Sequence, residues 1–335
     1  VTGATGYIGG RLVPQLLEAG HDVTCLARTP AKLADESWSD DVRVIGGDVA
    51  DAAGTAAALE GIEATYYLVH SMGSDQDFAR ADAAAAEAFR KACESAGVGQ
   101  IIYLGGLGED GPGLSPHLAS RQEVGRILAA GPTPVTELRA AVIIGSGSAS
   151  FEMLRALVEL LPVMVTPRWV NRTRCQPIGI RDVLAYLVAV VGEERARGRI
   201  FEIGGPDVVT YREMMDRYAE VAGLPRRLIL GVKPLSPVLS RHWINLVTPL
   251  PIDLVKPLVG SLINDVVVRD RSIEEIVPRE TMSLDTAIEL ALTRLAGSDV
   301  PTRWSGASPR RLPEEPHPAD PGWAGGTVLG DTRRV

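Results

Sequence analysis

The sequence predicts an α/β fold, a doubly wound parallel sheet followed by a smaller C-terminal region of mixed or helical structure. Short apolar runs alternate with helix-like segments through the first 150 residues, as in a parallel sheet covered by helices on both faces. A glycine-rich turn opens the chain, and the alternation becomes irregular after about residue 150. We therefore predict a sheet domain over 1–150, a substrate or partner region over 151–296, and a linker over 297–335.

Five apolar runs are predicted to form the strands of the sheet. They are HDVTCLAR (21–28), VRVIGGDV (42–49), ATYYLVHSM (64–72), GQIIYLGGLG (99–108) and PVTELRAAVIIG (134–145). The segments between them are predicted to be helices, at 9–20, 53–61, 78–97 and 117–131. Each helix would serve as the crossover between two parallel strands.

The second half of the chain gives weaker signals. Residues 150–165 are predicted to form a helix that Pro162 ends or kinks. Thr210 is a plausible N-cap, and Glu213, three residues later, would complete a capping box. The proline-rich, apolar residues 225–296 are predicted to form short helices.

Composition argues against several classes of protein. The chain has 335 residues and a formal net charge of −8, so nothing draws it as a whole to nucleic acid or anionic membranes. The three cysteines have no metal-ligand spacing. Neither a signal peptide nor an apolar run of about 20 residues is recognisable. We therefore expect a cytoplasmic protein with no metal site and no nucleic-acid partner.

One apolar stretch, residues 234–263, leaves an alternative open. It could dock on a membrane surface or on a protein partner. Burial within the C-terminal region would explain its composition equally well. The sequence therefore allows membrane association without predicting it.

The opening turn carries the chemistry of a phosphate-binding loop. Gly3, Gly6 and Gly9 are spaced three residues apart, and glycine allows a tight turn that a pyrophosphate can approach closely. The helix that follows, from Tyr7 to about Ala19, would offer backbone N–H groups and the positive end of its dipole. Together these features predict a dinucleotide site.

The ends of the next two strands indicate which dinucleotide. An NAD site usually places an acid after the second strand to bind the ribose 2′-hydroxyl, but Arg28 occupies that region here. A cation favours a 2′-phosphate, so we predict a preference for NADP(H) over NAD(H). Asp48, after the following strand, could accept a hydrogen bond from the adenine amino group.

With these motifs the chain resembles the short-chain dehydrogenase/reductase superfamily in its extended and atypical branches. It is most similar to the group with the NADPH-binding accessory subunit of respiratory complex I and the NmrA-like or nucleoside-sugar-epimerase-like bacterial proteins. The resemblance covers about residues 1–220 and implies a Rossmann domain with a smaller C-terminal substrate region. It implies cofactor contacts at Thr5, Gly6, Tyr7, Ile8, Arg28, Asp48, Val49, Leu68 and His70.

The resemblance also locates the catalytic positions, and the sequence departs from them. Members of this superfamily use a Tyr-x-x-x-Lys pair and a serine at a strand end. Here Gly105 and Gly106 stand where the serine is expected, and His117 and Arg121 replace the pair. Arg121 could still hold the nicotinamide ribose. His117 could act as an acid, and its reference pKa of about 6.5 predicts pH dependence between about 5.5 and 7.5; alternatively it is only a polar wall of the pocket.

Three arginines, Arg168, Arg172 and Arg174, form a cluster after the sheet domain. In this fold they would fall near the mouth of the substrate site, so an anionic substrate is one interpretation. A solvated surface cluster is the other.

The chain is expected to be a fragment at both ends. Only Val1 and Thr2 precede the glycine turn, whereas a typical strand has about 5–6 residues and the first strand of such a sheet pairs on both sides. An upstream apolar stretch is therefore expected. At the other end, residues 317–335 resemble the entry to a further domain found in some actinobacterial-type relatives.

Three functions remain open at this point. The chain could be an NADP(H)-dependent oxidoreductase with non-standard catalytic residues. It could hold NADPH without turnover, as a sensor or assembly module, which the missing serine and tyrosine favour. It could also be an isomerase of the nucleoside-sugar-epimerase type.

Overall fold

The computed structural model describes residues 1–70, 77–109, 111, 113–232, 260 and 262–296. Within them lie twelve strands and eight α-helices. The strands are β1 Thr24–Ala27, β2 Arg43–Gly46, β3 Ala64–Tyr67, β4 Gln100–Gly106, β5 Val135–Ala140, β6 Ile143–Ile144, β7 Val163–Pro167, β8 Arg174–Cys175, β9 Ile178–Gly179, β10 Ile200–Ile203, β11 Val209–Thr210 and β12 Leu228–Val232. The helices are α1 Gly9–Glu18, α2 Ala52–Ala58, α3 Asp77–Ala96, α4 Pro116–Ala129, α5 Ala149–Leu160, α6 Ile180–Ala189, α7 Tyr211–Val221 and α8 Leu284–Ala296.

The main sheet is parallel and has two parts, which the first two residues of the chain connect. One part has the order β10-β5-β4-β3 and the other pairs β1 with β2. Between them, Thr2 forms a parallel bridge with Leu26 of β1 and donates from its backbone N–H to the carbonyl of Tyr66 in β3, at 3.0 Å. Val1–Thr2 therefore lies between β1 and β3, and the strand order reverses there. The predicted fold class is confirmed.

Two helical layers cover this sheet because successive strand residues face opposite sides. On one side Tyr66, Ile102 and Leu104 pack in a core cluster with the apolar residues of α1 and α6. On the other side Tyr67 and Tyr103 pack with α3 and α4. This two-sided burial explains why the strands appear as continuous apolar runs in the sequence.

The predicted elements of the first half are all present, at slightly different bounds. All five predicted strands and all four predicted helices are found. The apolar run 134–145 proved to be two elements, β5 and β6, and β6 pairs with β9 rather than with the main sheet. Later in the chain, residues 180–203 add helix α6 and strand β10 to this domain, and β10 pairs with β5 at the edge of the sheet. The domain boundary near residue 150 stays a prediction.

The helix predicted over 150–165 ends before Pro162, as expected, but the strand that follows Pro162 was not predicted. Helix α5 ends at Leu160, and Val163–Pro167 form β7. Pro162 has no N–H to donate to the helix and disfavours a helical residue before it, so the chain leaves the helix and becomes extended. The capping box is confirmed, since Thr210 N donates to Glu213 Oε2 at 2.7 Å and Glu213 N donates to Thr210 Oγ1 at 3.2 Å.

The prediction of short helices over 225–296 was incorrect in part. Leu228–Val232 is a strand that pairs in parallel with β7. Leu228 is the register partner of Val163, which lies 65 residues earlier in the chain. Leu284–Ala296 is a helix of 13 residues. Residues 233–259 and 297–335 lie outside the described residues, and with them most of 234–263 and the predicted linker.

The C-terminal region has its own core. Apolar residues of α5, α7 and α8 pack together with Met164 of β7 and Ile229 of β12. Of the helices in the described ranges, none is both long enough and apolar enough to span a bilayer. The same cluster includes Leu107, directly after β4, and Leu118 of α4, so the C-terminal region packs against the carboxyl end of β4.

Candidate functional site

A cavity of about 550 Å³ opens at the carboxyl ends of the parallel strands, beside the reversal of strand order. Open α/β sheets bind their ligands at this place. Every residue predicted to bind the cofactor or to act in catalysis lines the cavity. These residues are Gly3, Thr5, Gly6, Tyr7, Ile8, Gly9, Arg28, Asp48, Val49, Leu68, His70, His117 and Arg121.

The glycine turn is built by close backbone approaches. Gly3 has φ +75°, and a Cβ there would lie 2.8 Å from the carbonyl oxygen of Leu68. Gly6 N donates to Gly3 O at 2.9 Å. A Cβ on Gly9 would overlap that same carbonyl of Gly3. The turn therefore requires glycine at both positions, because strand, turn and helix α1 are pressed together.

The N-terminus of α1 is presented to the cavity. Its N-cap residue, Ile8, contributes no side-chain hydrogen bond to the helix, and residues Thr5 to Gly9 line the wall. Backbone N–H groups at such an end attract phosphate. The residues present therefore fit the pyrophosphate of a dinucleotide.

Arg28 and Asp48 also line the half of the cavity that contains the glycine turn. Arg28 is exposed, directly follows β1, and has no ion pair with any described residue. The carboxylate of Asp48 is partly committed, since its Oδ1 accepts from Ala50 N at 3.0 Å. A local turn thus fixes the orientation of Asp48, and its role toward adenine stays a prediction.

Helix α4 brings His117 and Arg121 to the cavity. Ser115 caps the helix by accepting from Leu118 N at 3.2 Å. The guanidinium of Arg121 donates to the carbonyl of Leu104 at the end of β4, and the hydroxyl of Tyr103 donates to Arg121 O at 2.9 Å. Arg121 is therefore anchored to the sheet, and its charge is held beside the cavity.

The environment of His117 decides its protonation. Its ring lies 6.4 Å, centroid to centroid, from that of His70. Burial, and next the charge of Arg121, lower the pKa of His117 to about 4, because both disfavour the imidazolium. His117 is therefore neutral at pH 7. The pH window of 5.5–7.5 expected from the reference pKa does not follow from this geometry.

The position expected to hold the serine is closed by a buried ion pair. A Cβ on Gly105 would lie 2.6 Å from Glu137 Oε1, and one on Gly125 would lie 2.5 Å from Glu137 Oε2. Arg139 Nε donates to Glu137 Oε1 at 2.8 Å, and both side chains are nearly inaccessible. The two glycines make room for this carboxylate, so a serine at 105 would require the pair to move.

The other half of the cavity is apolar, and the sequence did not point to it. Its wall consists of side chains from α5, α7 and the segment after residue 261, namely Met153, Leu154, Leu157, Met214, Met215, Leu262 and Val266. Tyr211 also lines it, and burial raises the pKa of its hydroxyl well above the usual value, so the hydroxyl stays protonated. Met153 and Leu157 lie four residues apart on α5, and the packing of α5 against α7 places them in the cavity wall.

Sequence reasoning also missed Asp82, a buried residue of α3 that lines the dinucleotide half. An acid within the long alanine-rich helix was the only available signal. Across the described ranges, no group of three His, Cys, Asp or Glu side chains is arranged to hold a metal ion.

The arginine cluster lies elsewhere. Arg168, Arg172 and Arg174 are exposed, and the cavity wall includes none of them. Arg174 pairs with Asp265 at 3.2 Å and so ties β8 to the segment around residue 265. An anionic substrate at these residues stays a prediction that the cavity does not support.

Two curated proteins show what the chain is similar to. One is a (4-alkanoyl-5-oxo-2,5-dihydrofuran-3-yl)methyl phosphate reductase of Streptomyces griseus, 29% identical over 68% of this chain and 74% of that protein. Another is the NADH dehydrogenase [ubiquinone] 1 alpha subcomplex subunit 9 of Arabidopsis thaliana, 24% identical over 84% of this chain and 74% of that subunit.

Solved structures support the fold. An NADPH-dependent quinone oxidoreductase of Escherichia coli, solved with NADPH, superposes with a TM-score of 0.67 at 21% identity, over 86% of this chain and 97% of that one. Residues 3–141 match the model of a family described as NAD(P)H-binding. The turn, the strand order and the cavity agree with that match. Residues 3–141 are therefore similar to the NAD(P)H-binding family, and the solved structures share the fold of this chain.

Proposed function

We propose that the chain is an NADPH-dependent reductase of an apolar substrate. One observation carries this proposal: a single cavity joins the glycine turn to a chamber walled by Met, Leu and Val side chains. A pocket of this composition favours a ligand that buries hydrocarbon. The similarity to proteins named as reductases supports the same reaction class.

Each part of the site has a defined task under this proposal. The glycine turn and the N-terminus of α1 bind the pyrophosphate, Arg28 binds the 2′-phosphate, and Arg121 holds the nicotinamide ribose. When bound, the reduced nicotinamide supplies a hydride. His117 is neutral at pH 7, so it orients a substrate oxygen by hydrogen bonding, and the proton that completes a reduction comes from water.

The lining argues against the epimerase alternative. A nucleoside-sugar substrate brings a diphosphate, which needs cations or backbone donors. The charged and histidine side chains of the described lining, Arg28, Asp48, His70, Asp82, His117 and Arg121, all belong to the sheet half. Neither α5 nor α7 contributes a cationic side chain to the described lining, so we do not favour that substrate class.

A non-catalytic NADPH-binding module is the second candidate. It is favoured by the ion pair that fills the space at Gly105 and by the low pKa of His117, because both remove groups that ordinarily assist the chemistry. The two candidates share the dinucleotide site, so cofactor affinity cannot separate them.

Single-turnover oxidation of bound NADPH separates them. We expect quinones or enones with long alkyl chains to quench the NADPH fluorescence faster than short-chain analogues do. Met153→Glu should slow the reaction while leaving NADPH affinity unchanged, because it puts a charge in the chamber. Val208→Glu, at an exposed position outside the lining, is the control. If no acceptor oxidises the bound NADPH, the binding-module candidate replaces the reductase.

Replacing Arg28 should reduce the preference for NADPH. A charge-assisted contact to phosphate is worth about 1.5–3 kcal/mol, so Arg28→Ala should raise the Kd for NADPH about 10- to 100-fold and leave that for NADH unchanged. Fluorescence titration measures both constants. Arg43→Ala removes an exposed arginine outside the cavity and should change neither. Equal losses for the two cofactors would contradict the proposal.

His117 should make the protein less stable in mild acid. Its folded pKa of about 4 lies below the unfolded value of about 6.5, so the unfolded state binds the proton more tightly between these values. Stability is therefore complete above pH 6.5 and falls as the pH drops toward 4, at up to about 1.4 kcal/mol per pH unit. Urea unfolding at several pH values should show a smaller fall for His117→Gln.

The exposed His21 provides the control for this experiment. His21→Gln should lose stability with falling pH as the unchanged protein does. If His117→Gln follows the same curve as His21→Gln, the depressed pKa is wrong.

A further inference from the structure

The outer surface of the two-stranded β7–β12 sheet is apolar. Val163 is the register partner of Leu228, and Val165 is the partner of Leu230. All four side chains are exposed, as is Leu160 at the end of α5, with exposed fractions between 45% and 61%. We name these five residues the β7–β12 face. The four strand residues are register partners on one side of the sheet and therefore form one block.

The opposite surface of the same strands is also apolar. Met164 and Ile229 are buried, at 1% and 2% exposure, in the core cluster that contains the chamber residues Leu157 and Met214. A strand that meets water on one side normally alternates apolar with polar residues. An apolar block on the water side marks an interaction surface.

Arginines flank the β7–β12 face at both ends of its strands. Arg226 precedes β12 by two residues, Arg168 directly follows β7, and Arg172 lies four residues further on; all three are exposed. No ion pair to an acid is found for them in the described ranges. The acid nearest in sequence to Arg168, Glu159, already pairs with Arg155 at 3.2 Å. The surface is thus locally basic on a chain of net charge −8.

We propose that the β7–β12 face docks the protein onto an anionic lipid bilayer, with the aliphatic side chains in the acyl boundary and the flanking arginines on phosphate headgroups. Apolar insertion and cation–phosphate attraction together provide the two contributions that hold peripheral proteins at membranes. The face lies behind the wall of the apolar chamber, so the same region would meet lipid on one side and substrate on the other. The proposal does not depend on catalysis.

Charge argues against the other occupants. In a symmetric pair of copies the basic flanks of one would meet those of its partner, which is unfavourable. The segment 233–259 of this chain carries three cations, Lys233, Arg241 and Lys256, against one acid, Asp253, so it does not complement the arginines either. An anionic surface does.

Vesicle flotation of the full chain tests the proposal. We expect the protein to float with vesicles of phosphatidylcholine mixed with phosphatidylglycerol, not with phosphatidylcholine alone, and to be released by high salt. Arg168→Gln combined with Arg226→Gln should weaken binding about 25-fold, at about fivefold for each arginine. Val165→Ser combined with Leu230→Ser should weaken it about tenfold or more.

Ile200→Ser combined with Val208→Ser is the matched control, because both residues are exposed aliphatics outside the face. It should float like the unchanged protein, and all variants should keep their NADPH affinity. Absence of flotation with anionic vesicles overturns the proposal, as does equal weakening by the control. A change in mass by light scattering for Val165→Ser with Leu230→Ser, without a change in flotation, overturns it in favour of a second copy.

Discussion

Placing a serine at position 105 is expected to destabilise the protein rather than restore a standard active site. A Cβ there would lie 2.6 Å from Glu137 Oε1 and 3.3 Å from the ring of Tyr103. The carboxylate cannot yield without disturbing its buried ion pair with Arg139, and breaking such pairs costs about 3–5 kcal/mol. We expect Gly105→Ser to lower the free energy of unfolding by about 2–4 kcal/mol and to bring no gain in reductase rate.

Urea unfolding measures this effect, and two further variants locate its cause. Gly111→Ser, at a glycine with no heavy atom within 4 Å of an added Cβ, should change stability by less than about 0.5 kcal/mol. Glu137→Ala is destabilising in itself, but adding Gly105→Ser to it should cost little more, since the space is then free. If Gly105→Ser unfolds at the same urea concentration as the unchanged protein, the claim that Glu137 leaves no space for a side chain at position 105 is wrong.

Gly3→Ala should abolish cofactor binding. The residue has φ +75°, and the added Cβ would lie 2.8 Å from the carbonyl oxygen of Leu68 and 3.0 Å from its carbonyl carbon, both backbone atoms of the residue directly after β3. Left-handed backbone costs a residue with a side chain about 1–2 kcal/mol, and the clash displaces the turn. We expect stability to fall by about 3 kcal/mol and the Kd for NADPH to rise at least about 100-fold.

Gly20→Ala is the control that separates the cost of a positive φ from the cost of the close contact with Leu68. Gly20 has φ +85° but no heavy atom within 4 Å of an added Cβ, and it follows the far end of α1. It should lose only about 1 kcal/mol and bind NADPH normally, as measured by fluorescence titration. Similar losses of binding in the two variants would show that the close approach to Leu68 is unimportant.

The sequence by itself determined the features that depend on neighbouring residues. The glycine turn, the alternation of strands and helices, and the capping box of Thr210 and Glu213 are encoded within a few residues of each other. Backbone preference and side-chain periodicity act at that range. These local features were sufficient to predict the fold class and to select cofactor-binding residues that line one cavity, including Arg28, directly after β1.

Tertiary structure decided what depends on distant residues. Val163 and Leu228 pair across 65 positions, so the sequence predicted neither the strand after Pro162 nor the apolar face that it forms. The chamber forms because α5 meets α7, and the pKa of His117 falls to about 4 because the fold buries it beside Arg121. Glu137 reaches beneath Gly105 from the neighbouring strand. Packing between residues that are distant in sequence sets the volume of a cavity and the desolvation of the side chains in it. A local sequence pattern carries no information on either quantity.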